Sequence, residues 1–210
     1  MRRFIQGGLV ALACMGASLP TATRAADVTT WQYTGQSANA QFFSTDPSGC
    51  IFTVVTVAAY DGRIKQEGQP AKESAARVAV QQYDSCTGTN PFVGNDEVVV
   101  GPDAFQVDQQ RQHATLQATI PVNDFISGQT FSVAVNLAWT AQGNAVDIHK
   151  RYQVSAPGLH IIEHAQGTVQ PALASGTVSV AGGPNLTPDA AQNDQVTISA
   201  VKQGTVQITR

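Results

Sequence analysis

The run His160-Ile161-Ile162-Glu163-His164 is the sharpest chemical motif in this 210-residue chain. On a helix, residues four apart project to one side, so both imidazoles can bind zinc while the carboxylate activates a water. The neighbours oppose a helix. Pro157-Gly158 before the motif and Gly167 after it leave room for about two turns, and Ile161 and Ile162 favour a strand. In a strand His160 and His164 stand about 13 Å apart and cannot share one ion. His160, Ile162 and His164 then line one face, with Ile161 and Glu163 on the other. The expectation is that no metal and no cofactor is bound. Were a metal held, its ligands would come from His160, Glu163 and His164, with His149 joining from the preceding strand.

No other catalytic set assembles along the sequence, and no catalytic residue is assigned. There is no Gly-x-Ser-x-Gly, and the four histidines have no evident serine partner. Asp96, Glu97, Asp103, Asp189 and Asp194 flank turns, but their spacing matches no calcium-loop template, so they read as solvated turn acids. The aromatic residues Trp31, Tyr33, Tyr83, Phe92 and Tyr152 are the remaining source of a contact surface, because an exposed ring stacks on sugars or anchors a partner. Tyr83, Phe92 and Tyr152 are the ligand-contact candidates. His149-Lys150-Arg151 is basic, but alternation splits it across both faces of a strand.

These side chains must be positioned by strands. Phe131, Val133, Val135, Leu137 and Trp139 alternate with Thr130, Ser132, Asn136 and Thr140, and Ala114, Leu116, Ala118 and Ile120 alternate with Thr115, Gln117 and Thr119. Val196, Ile198 and Ala200, then Lys202-Gln203-Gly204, then Val206 and Ile208, read as a hairpin. Shorter strands fit 31–34, 38–44, 97–100, 104–108, 145–154, 159–165 and 177–180. About a dozen short strands separated by Gly, Pro, Asn and Asp predict an all-β fold. Within that class the pattern suits an antiparallel β-sandwich, immunoglobulin-like or jelly-roll-like, forming a single domain over residues 27–210.

Cys50 and Cys86 are expected to form one disulfide. Strands over 50–61 and 75–86, joined by a polar loop over 62–74, make an antiparallel hairpin that sets the two cysteines opposite each other. That register places Phe52, Val54, Ala58 and Tyr60 on one buried face with Val78 and Val80. A redox-active pair would need Cys-x-x-Cys spacing, which is absent.

The first 26 residues read as a secretory signal peptide: Arg2 and Arg3, an uncharged and mostly apolar run over 4–19, then Pro20 and small residues up to Ala26. The expected location is secreted or periplasmic, which suits a disulfide. Lipid anchoring at Cys14 is the alternative, since Ala13 precedes it, although the leucine of a lipoprotein signal is displaced to position 12. Removing residues 1–26 takes away three arginines and no acid, so the net charge moves from −3 to −6. Scattered bases on an acidic chain argue against nucleic acid as a partner, and no later run is long enough for a transmembrane segment.

Asp46-Pro47-Ser48-Gly49-Cys50, the stretch 81–86, Phe105-Gln106-Val107-Asp108 and Val135-Asn136-Leu137-Ala138-Trp139-Thr140 together resemble a loose group of secreted bacterial β-rich proteins without an assigned activity. The resemblance implies export and a β fold and supplies no catalytic residue. The functional expectation is a non-catalytic binding or surface module for an envelope polysaccharide or protein. The alternative is a secreted hydrolase, metal-dependent in one form, with its site near His160 and His164.

Overall fold

Two-residue alternation becomes eleven strands in the computed structural model, which describes residues 28–66, 69–180, 185–186 and 195–209. They are β1 (Val28–Thr45), β2 (Ile51–Gln66), β3 (Gln69–Asp84), β4 (Thr89–Val99), β5 (Phe105–Val107), β6 (His113–Asp124), β7 (Thr130–Ala141), β8 (Val146–Ala156), β9 (Leu159–Val180), β10 (Asn185–Leu186) and β11 (Thr197–Thr209). All pair antiparallel, and the described residues contain no helix. None, therefore, is a helix long and apolar enough to cross a membrane. The expected signal peptide and Cys14 lie outside the described residues.

The order β9-β11-β1-β2-β3-β4-β6 is completed by β7, which pairs with both β6 and β9. The ladders therefore return on themselves. The thinnest link is β4–β6, where only Gly94↔Asp124 and Asn95↔Asn123 pair. Inward-facing side chains fill the centre: Phe42, Val55, Val57, Val78, Phe105, Leu116, Ile120, Leu137, Trp139 and Ile198 are each under 2% exposed. Trp139 donates its indole N–H to the backbone carbonyl of Asn39 at 3.0 Å. That bond satisfies the polar edge of the largest buried ring.

Several strands run longer than expected. Residues 31–34 and 38–44 form one strand, as do 159–165 and 177–180, and most of 62–74 belongs to β2 and β3 rather than to a polar loop. The hairpin expected around Lys202-Gln203-Gly204 is one strand, β11, with its register shifted between Val201 and Gln203. A β-bulge interrupts alternation as a turn does, without ending the strand.

Cys50 and Cys86 form the expected disulfide, with Cα atoms 5.4 Å apart. The register it suggested is off by one. Ile51 pairs with Asp84, so Val55, Val57 and Ala59 enter the core with Val80, Val78 and Ala76. Phe52, Val54, Ala58 and Tyr60 lie on the opposite face, where Phe52 is 46% exposed. The cysteines sit beyond the last ladder pair, among turns held by Asp46 and Asp84, and so do not fix the strand register. A slip of one residue turns every side chain over.

Candidate functional site

One row of paired residues runs across six strands: Glu73, Gly62, Gly35, Val201, Gly167 and Ile148. Half of it is glycine, and the glycines are sterically required. A Cβ on Gly35 would lie 2.6 Å from the carbonyl oxygen of Asp61, and one on Gly62 would lie 2.9 Å from that of Thr34. A Cβ on Gly167 would overlap the Ala200 carbonyl. Glycine in strands marks a bend or a close approach of backbones.

The buried side of the sheet changes over at this row. On one side β1 buries Ala38, Ala40 and Phe42, at even positions; on the other it buries Tyr33, at an odd one. The bulge in β11 makes the same change, so Gly204 shares a face with Tyr33. The sheet beyond the row therefore turns its apolar side away from the central core.

A cleft of about 90 Å³ lies over the glycines on that side, lined by Tyr33, Gly35, Ala58, Tyr60, Ile64 and Val201 among others. Tyr33 and Tyr60 flank the Gly35–Gly62 pair diagonally, one from each strand. Each phenol is tied to carboxylate. Tyr33 crosses Gly204, whose missing side chain makes room for its ring, and donates to Glu163 Oε1 at 2.6 Å. Glu163 also accepts from Lys150 Nζ at 3.3 Å. Burial, then the bond to Glu163, pushes the Tyr33 phenol well above its ordinary range. The Tyr60 hydroxyl lies 3.4 Å from both Glu73 and Glu97, and burial and these charges push it up likewise. Burial is also the largest cause raising Glu97. With both hydroxyls engaged, the cleft presents ring surface and aliphatic carbon.

The motif residues are strand residues. Glu163 faces Tyr33, while His160 and His164 alternate onto the other side of β9. His160 Nδ1 hydrogen-bonds Ser155 Oγ at 2.8 Å, and His149 pairs opposite Gln166 in the β8–β9 ladder. Among the described residues, the one group of three side chains spaced as metal ligands is Cys50, Asp84 and Cys86, whose sulfurs are joined to each other.

The aromatic candidates separate. Tyr83 is 46% exposed and pairs across strands with the equally exposed Phe52, near the disulfide. Tyr152 is half exposed, with Lys150 Nζ 5.8 Å from its ring centroid. Phe92 belongs to the core and packs edge to face on Phe131, ring centroids 5.5 Å apart. Tyr33 and Tyr60 were missed as a pair. The signal was two Tyr-x-Gly spacings, with Tyr33 before Gly35 and Tyr60 before Gly62, visible only once the strands are paired.

No protein-family model matches the chain, and no curated protein matches it. Among solved structures it is similar to a Nitrosomonas europaea protein assigned to AttH. The identity is 13% over 87% of this chain and 50% of that one, with a TM-score of 0.33. It is also similar to an acetoacetate decarboxylase-like enzyme from Sphingomonas wittichii RW1, at 10% identity over 86% and 90% of the two chains and a TM-score of 0.28. The chain thus spans half the length of the first. Likeness this distant carries no functional argument.

Proposed function

We propose that this protein is an exported, non-catalytic binding module, a single domain following a signal peptide over residues 1–26, that holds a small apolar ligand over its glycine row. The cleft bounded by Tyr33, Tyr60, Ile64 and Val201 carries this reading. The interior is filled by Trp139, Phe42 and Phe105, so an outside site suits the molecule better than an internal cavity. The disulfide supports an oxidising compartment.

A two-layer sandwich fits the ring of ladders better than a round barrel. Trp139 on β7 reaches the backbone of β1 across the core, and the β4–β6 link is two pairs long. The hydrolase alternative has weaker support, because Glu163 is held by Tyr33 and Lys150 on the side of β9 away from His160 and His164.

A thermal-shift panel of the purified protein tests the assignment, using 2-phenylethanol, zinc, calcium and envelope polysaccharides. A ligand at 100 times its Kd adds about 2.7 kcal/mol of stability, enough to read as a shift in Tm. The expected result is a shift with the aromatic alcohol that Ala58→Phe abolishes. A polysaccharide shift lost in Tyr83→Ala would move the site to the Phe52–Tyr83 face. A zinc shift lost in His160→Ala would reinstate the hydrolase.

A further inference from the structure

β8 lies against β9 over its whole length with no shift of register, and its other side takes no strand among the described residues. Proline, a bulge or short length blunts most such edges, and β8 has none of the three. Its backbone bonding can be counted from the turn. Pro157 and Gly158 alone join β8 to β9, so the flanking pair Ala156↔Leu159 exchanges both of its hydrogen bonds. Stepping back by twos, Val154, Tyr152, Lys150 and Ile148 bond to β9. The residues between them, among them Arg151, His149 and Asp147, point N–H and C=O outward. That row is a template for one more antiparallel strand.

The side chains say which strand fits. Lys150 is turned back onto β9, where its Nζ meets Glu163 at 3.3 Å. The charges left at the edge are Asp147 and Arg151, both exposed and neither in an ion pair among the described residues. They share one face and stand two positions either side of His149. On the opposite face Val146 is 60% exposed and Tyr152 51%, and these stand three positions either side of His149. The edge is thus complementary to itself about one point.

A two-fold axis normal to the sheet continues it with a second copy of β8, and pairs each residue only with residues of its own face. The axis therefore falls on a residue. Placed at His149, it sets Asp147 opposite Arg151 of the other copy and Val146 opposite Tyr152, each pair occurring twice. Placed at Asp147, Lys150 or Arg151, it would set like charges face to face. Placed at Ile148 or Tyr152, it leaves Arg151 without an acid opposite. We propose that this protein self-associates as a two-fold dimer through β8, antiparallel and centred on His149.

Sedimentation velocity of the purified protein over a range of concentrations, at pH 8 and low ionic strength, tests this. The expected result is a monomer–dimer equilibrium in the micromolar range. Asp147→Arg sets arginine opposite arginine, and Arg151→Asp sets aspartate opposite aspartate. Each is expected to weaken self-association by at least about tenfold. Mixed in equal amounts, the two variants regain both ion pairs, so the mixture dimerises near wild-type affinity although neither variant does alone. Both positions are exposed, and wild-type thermal melts by circular dichroism check that each variant is folded. A monomer at every concentration would overturn the proposal and leave the edge to a strand of another protein. A dimer indifferent to both reversals would put the contact on another surface and overturn the role of β8. Loss in both variants without recovery in the mixture would overturn the register centred on His149.

Discussion

Gly35 and Gly62 face each other across β1 and β2 so closely that a Cβ on Gly35 would stand 2.7 Å from the Cα of Gly62. The contact is backbone on backbone, so no rotamer change relieves it. It sets the floor of the cleft and the point where the sheet changes its buried side.

Alanine at either position should therefore destabilise. Gly35→Ala meets the Asp61 carbonyl and the Gly62 Cα together and is expected to cost about 2–3 kcal/mol, within the range for overpacked sites. Gly62→Ala, whose closest contact is a longer 2.9 Å, should cost less. Urea unfolding midpoints of the two variants check the order, and equal, wild-type midpoints would show that the strands have room to spare.

Asp124 governs the weakest seam of the ring. It is 3% exposed, and its carboxylate accepts from the backbone N–H of Val93, Ile126 and Ser127 and from Ser127 Oγ. Burial, the largest influence, would raise its pKa, but the hydrogen bonds outweigh it and hold the group at about 2. A carboxyl lowered in the folded state adds stability above its unfolded pKa, near 4, and loses it as pH falls toward 2. Asp124→Ala is expected to cost about 2–3 kcal/mol at pH 7 by removing the four hydrogen bonds that this buried carboxylate accepts. It should also flatten the loss of stability between pH 4 and 2, measured by urea unfolding at stepped pH. An acid limb of undiminished slope in the variant would assign that limb to other carboxylates.

Much of this architecture is legible from residue order. Alternation over 130–140 and 114–120 marks β7 and β6 because each buries one face, and the five-residue turn Phe125-Ile126-Ser127-Gly128-Gln129 separates them. The disulfide follows from the two cysteines that lie past residue 26, set at the open end of one hairpin. What alternation cannot convey is which face is covered when a strand changes sides midway. Tyr33 and Ala38 are both buried, on opposite faces, and read locally as two strands. The cleft depends on that change, and its residues come from β1, β2 and β11, so no single stretch of sequence contains it. The strand character of the histidine motif was legible for the opposite reason, from local residue types alone. Its spacing matched a helical template while its β-branched residues belonged to a strand.

The Cys50–Cys86 bond should be complete and stabilising. It spans 36 residues, and loop entropy sets an upper value of about 4 kcal/mol for its removal. The β2–β3 ladder pairs sixteen residues on each strand without it, so Cys50→Ser with Cys86→Ser is expected to cost no more than that and to leave the fold intact. Thiol titration of the denatured, unreduced protein should find no thiol from this pair. Two thiols per chain would show that the bond does not form.

The two tryptophans offer a matched comparison. Trp139 is fully buried and its N–H is bonded to Asn39, whereas the Trp31 N–H is buried and finds no acceptor among the described residues. An unpaired buried donor costs free energy, so replacing Trp31 by Phe removes ring area and a penalty together. Replacing Trp139 by Phe removes ring area, loses a bond and strands a carbonyl. Trp139→Phe is expected to cost about 3 kcal/mol and Trp31→Phe less than about 1 kcal/mol. Urea unfolding followed by circular dichroism measures both without relying on either indole as a probe. A larger loss in Trp31→Phe would mean that its N–H has a partner when the protein is in solution, and a water or ligand over the Tyr33 face would be the place to look.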